Sequence, residues 1–204
     1  MKFLVTLASL ALAAIAAPAP GDWGKWNNGC ASREYIQYLV DQEIVYLQHL
    51  DVAAGRAAGE AIFAADIVEY GDSINSLRQA PVSLLFSAHL DTGSFSLTNP
   101  PSQLGTIVET DAASYINDTL STPPIPQIDL LSLTVECNQF VWQWRFYGIG
   151  PGPNPYIQGF TLATVNSAGL INYQYVEFNS LAWAENSGYT VTPPTTGPFA
   201  PPSK

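Results

Sequence analysis

The stretch from Leu131 to Trp183 limits the possible folds more than any other part of this 204-residue chain. It contains two long segments rich in β-branched and aromatic residues, LLSLTVECNQFVWQWRFYGIG and PYIQGFTLATV, and a third segment, LINYQYVEF. Glycine, proline and asparagine separate these segments, in the loop PGPNP and the turn NSAG. This pattern is typical of strands that form an antiparallel meander. We expect the upstream sequence to supply helices that lie against this sheet.

Large aromatic side chains alternate along the first segment. Phe140, Trp142, Trp144 and Phe146 fall on one face of a strand, because successive side chains point to opposite faces. We expect this face to point inward, where Trp142 and Trp144 would line an apolar ligand site. Filling of the core without any ligand is an equally good interpretation of the same residues.

Two helices are predicted before the sheet. Ser32 opens the first, REYIQYLVDQEIVYLQHLD, and Asp51 caps the second, VAAGRAAGEAIFAA, which Asp66 ends. A short strand, IVEY, follows the second helix, and a third helix is expected over 105–117. The buried stripe of the first helix is predicted to contain Ile36, Leu39, Val40, Val45 and Leu47.

The two ends of the chain differ from its middle. Lys2, a long apolar run and small residues at 14–16 form the pattern of a secretory signal peptide over 1–17, although an uncleaved membrane anchor is the competing interpretation. Residues 18–30 are expected to form a flexible arm and 31–190 a single domain. The proline-rich residues 191–204 are expected to be a disordered tail. The mature protein is thus predicted to be secreted and extracellular.

The charge balance narrows the choice of partners. Without Lys2, six basic side chains face 17 acidic ones, which gives a net charge of −11. Such a chain repels phosphate groups and anionic lipids, so neither nucleic acid nor a membrane surface is an expected partner.

Two short features fit an exported protein. Cys30 and Cys137 are the only cysteines, and in an oxidising compartment such a pair is expected to form a disulfide. Two separate buried thiols are the alternative. Asn117 begins an Asn-Asp-Thr sequon, which predicts N-glycosylation and surface exposure.

Two motifs, together with the order of the elements, resemble the nuclear transport factor 2-like superfamily. YLQHLDVAAGRAAGEAIFAADIVEYGD is similar to its opening pattern, in which a helix ends in Leu-Asp and a second helix ends in F-x-x-D. GLINYQYVEFNSLAWAENSGY is similar to its closing pattern, with Gly169, Asn179 and Gly188 at the family spacing. The resemblance implies an α+β fold, in which a curved antiparallel sheet forms a cone around an apolar cavity and N-terminal helices cover it.

The superfamily includes SnoaL-like polyketide cyclases, ketosteroid isomerases, scytalone dehydratases and non-catalytic binding modules, so the fold alone leaves the function open. The resemblance implies binding of a small apolar or polycyclic molecule, with cofactor-free acid–base chemistry such as isomerisation, dehydration or cyclisation. The alternative is a non-catalytic ligand carrier or a secreted interaction module. Because many relatives dimerise through the outer face of the sheet, a homodimer is also implied.

The isomerase branch of the family implies roles for several residues. Tyr46 matches the helix tyrosine that donates to a developing enolate, and Asp72 falls one residue from the position of the general base. Thr161 stands where that branch has a protonated carboxylic acid. On the last strand, the resemblance places Gln174 and Phe178 inward as ligand contacts. It also makes Asn179 the cap of the final helix.

The two histidines complete the set of candidates. His49 lies three residues after Tyr46, on the same helical face, so the two could share a site. His89 is a candidate donor within the apolar LLFSAHL, where a buried structural histidine is the alternative. Asp72 as a turn residue, Tyr46 as a core aromatic and His49 as a helix-end residue are the structural alternatives. With two histidines and no metal-ligand spacing, neither a metal nor a cofactor is predicted.

Gly71-Asp72-Ser73 resembles the nucleophile block of secreted GDS-type lipases and esterases. That chemistry needs a histidine from near the C-terminus to activate the serine. Because no histidine follows His89, the hydrolase interpretation is the weaker one.

Overall fold

The computed structural model describes residues 26–78 and 105–190. The signal-peptide region, the C-terminal tail and His89 therefore lie outside the described residues. The elements, in chain order, are β1 (Trp26–Asn27), β2 (Cys30–Ala31), α1 (Arg33–Gln48), α2 (Val52–Ile62), β3 (Phe63–Tyr70), α3 (Asp72–Arg78), β4 (Ile107–Glu109), α4 (Ala112–Leu120), β5 (Gln127–Glu136), β6 (Gln139–Tyr147), β7 (Tyr156–Val165), β8 (Ile171–Phe178) and α5 (Ser180–Asn186).

Six strands form one curved sheet in the order β4-β3-β8-β7-β6-β5, with helices packed against it, so the predicted α+β cone fold is confirmed. Four neighbouring pairs are antiparallel, but β3 and β8 run parallel. The prediction of a purely antiparallel sheet was wrong at this pair. Most of the domain separates the two strands in sequence, so no local pattern indicates their direction.

The predicted first long strand is two strands. A tight turn at Cys137 and Asn138 separates β5 from β6, and Cys137 has a φ of +52°, which is uncommon for a residue other than glycine. Asn138 holds the turn on both sides: its side-chain oxygen accepts from Ala31 N (3.0 Å) and its carbonyl from Val165 N (2.8 Å). Because these contacts are distant in sequence, the turn could not be recognised from the local pattern.

The predicted starts of three helices are correct. The predicted end of α2 and the helix predicted over 105–117 are wrong. Ser32, Asp51 and Asn179 cap α1, α2 and α5 through their side chains, as predicted. Helix α2 ends at Ile62, because the next residue already pairs with β8. The helix predicted over 105–117 is instead strand β4 followed by α4, which an aspartate caps.

The buried face of α1 follows the helical period. Ile36, Leu39 and Val40 are fully buried, as predicted, but Val45 is 39% exposed because it lies off the buried stripe. Helix α2 approaches α1 closely at Gly59, where a Cβ atom would lie 3.1 Å from the Tyr46 ring. Small residues in α2 therefore bring the helices together over the sheet.

Cys30 and Cys137 form a disulfide, as predicted, with their Cα atoms 4.4 Å apart. This bond connects the β1–β2 hairpin to the β5–β6 turn. Residues 26–30, which are the described part of the predicted flexible arm, are thus paired and covalently anchored. Within the described ranges, no helix combines the length and apolar character needed to cross a bilayer.

Candidate functional site

The tryptophan face of β6 points into the core, as predicted. Trp142 and Trp144 are 0% and 2% exposed, and their ring centroids are 6.4 Å apart. Trp144 stacks on Phe146 at 3.9 Å and donates its indole N–H to Thr161 Oγ1 at 3.1 Å. The polar atoms of Trp144 and of the predicted ligand contact Thr161 thus satisfy each other.

A glutamate of α1 lies inside this core. Glu43 is 2% exposed and one helical turn before Tyr46. Its Oε1 atom accepts from Gln174 Nε2 at 2.7 Å, and Gln174 Oε1 accepts from the Tyr115 hydroxyl at 3.2 Å. The buried chain Glu43–Gln174–Tyr115 therefore connects α1, β8 and α4.

Two further carboxyl groups are buried nearby. Glu69 of β3 and Glu109 of β4 are cross-strand partners, 3% and 8% exposed, and Glu69 also pairs with Gln174 of β8. Three acidic residues from three elements thus occupy the same end of the interior. No group of His, Cys, Asp or Glu residues in the described part of the chain is arranged to hold a metal ion.

Burial sets the protonation state of Glu43. Loss of solvation raises its pKa to about 8, and the neighbouring charge of Glu69 acts in the same direction. The hydrogen bond from Gln174 and the nearby indole of Trp142 oppose the shift without cancelling it. Glu43 is therefore mainly protonated at neutral pH.

Two buried polar atoms next to this network have no hydrogen-bond partner among the described residues: Glu43 Oε2 and Trp142 Nε1. The Trp142 indole is close enough to influence the Glu43 carboxyl, but the two groups do not meet in hydrogen-bond geometry. An unsatisfied buried polar group costs about 1–3 kcal/mol, so each such atom in a native fold needs an explanation.

The predicted donors on α1 make structural contacts. Tyr46 is fully buried, donates its hydroxyl to Tyr115 O at 2.9 Å and packs edge-on against Phe63. His49 is the C-terminal cap residue of α1, and its ring nitrogens face Thr122 O at 3.0 Å and Tyr46 O at 3.3 Å. Both side chains join the end of α1 to α4 and the segment that follows it.

Asp72 belongs to a different network. Its carboxylate accepts from Gly105 N at 2.6 Å, and its backbone N–H donates to Glu177 Oε1 at 2.9 Å. The Ser73 hydroxyl contacts the Glu177 carboxylate and donates to Phe178 O at 2.9 Å. The predicted base and the predicted donor Tyr46 are thus engaged in separate sets of contacts.

The remaining predicted residues lie at different depths. Gln174 is fully buried, whereas Phe178 is half-buried and packs on Trp183 with ring centroids 4.9 Å apart. Asn117 is exposed on α4, as the sequon predicts, and its side-chain oxygen accepts from Arg56.

On the outer face of the sheet there is an open groove of about 340 Å³, lined by Gln143, Gln158, Gly159, Phe160, Glu177 and Phe178.

The sequence analysis missed Glu43, Glu69 and Glu109. A signal for Glu43 was present, because it continues the buried helical spacing of Ile36, Leu39 and Val40. A charged residue at such a position is rarely fully buried unless it is paired or functional.

Comparison with known proteins agrees with this fold. A family model described as an NTF2-like domain matches residues 29–190. A protein with a ketosteroid isomerase-like fold from Catenulispora acidiphila, solved in complex with trimethylamine, is 11% identical over 74% of this chain and 93% of its own, with a TM-score of 0.49.

A candidate SnoaL-like polyketide cyclase from Jannaschia sp. CCS1 is 14% identical over 74% of this chain and 93% of its own, with a TM-score of 0.45. TsrD from Streptomyces laurentii is 12% identical over 77% and 97%, with a TM-score of 0.46. No curated protein shows significant similarity to this sequence. Because the family model covers most of the sequence, the chain belongs to the NTF2-like family.

Proposed function

We propose that this chain is an exported protein that binds a small apolar or polycyclic molecule inside the cone and performs cofactor-free acid–base chemistry on it. The NTF2-like fold and the SnoaL-like neighbours support a ligand-binding or isomerase/cyclase type of protein. The N-terminal pattern and the disulfide support export. Isomerisation, dehydration and cyclisation are the reactions that such a site can catalyse.

Glu43 is the observation on which the proposal depends. It is a carboxyl group that is buried, protonated at neutral pH and hydrogen-bonded, among the described residues, through Oε1. A general acid works best when its pKa is near the operating pH, and a pKa of about 8 meets this condition. Glu43 can therefore give a proton from Oε2 to a bound molecule and take it back.

Acid–base chemistry also needs a proton acceptor. We assign this role to Glu69, whose charge acts on Glu43 and whose strand partner, Gln174, is hydrogen-bonded to Glu43. Gln174 and Tyr115 fix the orientation of the Glu43 carboxyl, which makes them positioning residues. This assignment replaces Asp72, which makes its contacts with Gly105 and Glu177 and not with Glu43 or Tyr46.

A carrier without catalysis is the second candidate. It is favoured by the contact of the Tyr46 hydroxyl with a backbone carbonyl, which gives the predicted donor on α1 a structural role. In this function the same interior site binds its ligand and releases it unchanged.

One experiment tests both candidates. The full chain is secreted from a eukaryotic host, incubated with a metabolite extract and analysed by native mass spectrometry, followed by identification of released molecules. We compare the wild type with Glu43→Gln, and use Asp72→Asn as the matched control because it also replaces a carboxyl group by an amide.

A new product that disappears in Glu43→Gln and persists in Asp72→Asn supports catalysis. A ligand returned unchanged by all three proteins supports the carrier. Loss of turnover in Asp72→Asn alone would contradict the assignment of Glu43.

Three further measurements test the other parts of the proposal. N-terminal sequencing of the secreted protein shows whether the signal peptide is cleaved, and the mass difference between the wild type and Asn117→Gln shows whether a glycan is attached. Light scattering gives the molar mass and so tests the homodimer that the family implies.

A further inference from the structure

Strand β7 carries two exposed aromatic side chains on the outer face of the sheet. Tyr156 and Phe160 are 42% and 39% exposed, and they share this face because side chains alternate along a strand. They are four positions apart, which corresponds to about 13 Å along the strand. Large ring faces that a fold leaves in solvent beside a groove are typical of a surface that binds a partner or a ligand.

The open groove described above, which we call the outer groove, lies beside Phe160. Gln143, Phe160 and Glu177 are cross-strand neighbours on β6, β7 and β8, and Gln158 stands two positions before Phe160. The groove has a volume of about 340 Å³ and is open to solvent along the face of the sheet. Compact ligands are usually enclosed by their sites, so an open groove fits an extended, chain-like ligand better.

The carboxylate at the outer groove is already paired within the chain. Glu177 accepts hydrogen bonds from the backbone N–H groups of Asp72 at 2.9 Å and Ser73 at 3.3 Å. Its oxygens therefore serve the start of α3 and offer little to a cation or to another donor from a ligand.

Arg145, which is next to Gln143 on the same face of β6, is also engaged within the chain. Its guanidinium lies 4.4 Å from the centre of the Tyr156 ring and donates to the Tyr147 hydroxyl at 3.4 Å. That hydroxyl donates to Asp129 at 3.0 Å, and Asp129 is the cross-strand neighbour of Arg145. The positive charge is thus balanced internally, and the whole chain has a net charge of −10. An anionic ligand is therefore disfavoured.

Neutral amide groups are what the outer groove offers to a ligand. Gln143 Oε1 accepts from the Ser132 hydroxyl at 3.0 Å, which leaves the two N–H bonds of its Nε2 atom to donate. The side chain of Gln158 is exposed, so both its oxygen and its nitrogen can bind a ligand. This combination matches groups that both donate and accept hydrogen bonds, as hydroxyl groups do.

We propose that the outer groove binds a neutral oligosaccharide. A sugar ring has an apolar C–H face and an edge of hydroxyl groups, and a chain of such rings is extended. The rings of Tyr156 and Phe160 contact the apolar faces of different sugar units, while Gln143 and Gln158 bond to their hydroxyl groups. This is a second site on the opposite face of the sheet from the interior site, and it does not depend on the proposed function.

The test measures binding of sugar hexamers to the full-length secreted protein by calorimetry. The neutral probes are cellohexaose, laminarihexaose, maltohexaose and chitohexaose, and the anionic probe is the hexamer of galacturonic acid. We expect at least one neutral hexamer to bind with a dissociation constant below about 1 mM, and the anionic hexamer to bind more weakly than that one. This comparison uses the wild type alone, so it does not depend on any variant being folded.

Two substitutions, each with a matched control, locate the site. Phe160→Ser should weaken binding of the preferred hexamer about tenfold, because it removes a ring contact, whereas Leu50→Ser removes an exposed apolar side chain between α1 and α2 and should not. Gln158→Ala should weaken binding about fivefold, because it removes an amide. Gln139→Ala makes the same change at an exposed position of β6 outside the groove and should leave binding unchanged.

Three outcomes would overturn the inference. The first is failure of all four neutral hexamers to bind, and the second is equal loss of affinity in a substitution and its control. The third is a wild-type dimer that Phe160→Ser converts to a monomer in light scattering, because the outer face would then be an interface between two copies of the chain. None of these results bears on the proposed function, which the metabolite-extract experiment decides separately.

Discussion

The fold contains two hydrogen-bond networks that are each built around a glutamate. They differ in whether both carboxyl oxygens of that glutamate have a partner among the described residues. In the α3 network, at the junction of β8 and α3, Glu177 accepts from the backbone N–H groups of Asp72 and Ser73 and contacts the Ser73 hydroxyl. In the interior network, Glu43 accepts one hydrogen bond from Gln174, and its second oxygen has no partner among the described residues. Within residues 26–78 and 105–190, the first network is complete and the second is not.

This difference separates stability from function. A complete network lowers the free energy of the folded state and has nothing left to offer a ligand. An incomplete one costs stability and persists where it serves binding or catalysis. Asp72 and Ser73 lie in the complete network, although their motif resembled a catalytic one.

Glu43→Gln should have the largest effect of the substitutions that test this comparison. The pKa of Glu43 is raised from 4.5 to about 8 on folding, so between these pH values the unfolded chain releases a proton that the folded chain keeps. The wild-type free energy of unfolding should therefore fall by roughly 5 kcal/mol as the pH rises through this window, and the variant should lack this loss. Urea unfolding at pH 5 and pH 8 measures the difference.

The matched control for this prediction is Glu60→Gln, an exposed glutamate on α2. It makes the same change of carboxyl to amide on a side chain that stays in contact with solvent in the folded chain. Parallel pH profiles for the wild type and Glu43→Gln would mean that Glu43 is hydrated, and the contrast between the two networks would disappear.

Glu177→Ala should have the next largest effect. It leaves the backbone N–H groups of Asp72 and Ser73 without their acceptor, which should lower the free energy of unfolding by about 2–3 kcal/mol. Glu136→Ala, at an exposed strand end, is the control. Ligand binding in the cone should survive once the variant is folded; its loss would show that the α3 network also contributes to the site.

Thr161→Val should cost about 1–2 kcal/mol, because it removes the acceptor of the Trp144 indole N–H at nearly constant volume. Thermal unfolding measures the cost, and Thr164→Val, which is less buried, is the control. This variant creates a second unpaired indole beside Trp142. A cost close to zero would mean that the Trp144 indole N–H finds another acceptor in the core.

Asp72→Asn should have the smallest effect, below about 1 kcal/mol, because an amide oxygen can still accept the Gly105 N–H. Turnover and ligand affinity should match the wild type in the metabolite-extract assay. A large loss of turnover in a stably folded Asp72→Asn protein would contradict the division between the two networks.

Local patterns in the sequence predicted much of the fold. The alternation of Trp142 and Trp144 gave the inward face of β6, and the polar residues Ser32, Asp51 and Asn179 correctly marked helix starts. These features depend on neighbours within a few residues, so they can be recognised locally. The disulfide followed from the cysteine count and the compartment, not from geometry.

The candidate site was harder to predict because it forms between distant segments. Glu43, Glu69 and Gln174 come from α1, β3 and β8, and the parallel pairing of β3 with β8 brings the last two side by side. No local sequence motif shows that these three residues lie close together in the folded chain. Asp72, by contrast, attracted attention through its sequence neighbours, which say little about where a side chain points in the folded chain.

The disulfide has a consequence for the integrity of the molecule. Cys30 and Cys137 are 107 positions apart, and the chain between them includes both long helices and all three interior glutamates. A protease that nicks the backbone anywhere within this covalent ring leaves two fragments that are still bonded to each other. On a gel such a nicked protein would run as one band until a reductant is added.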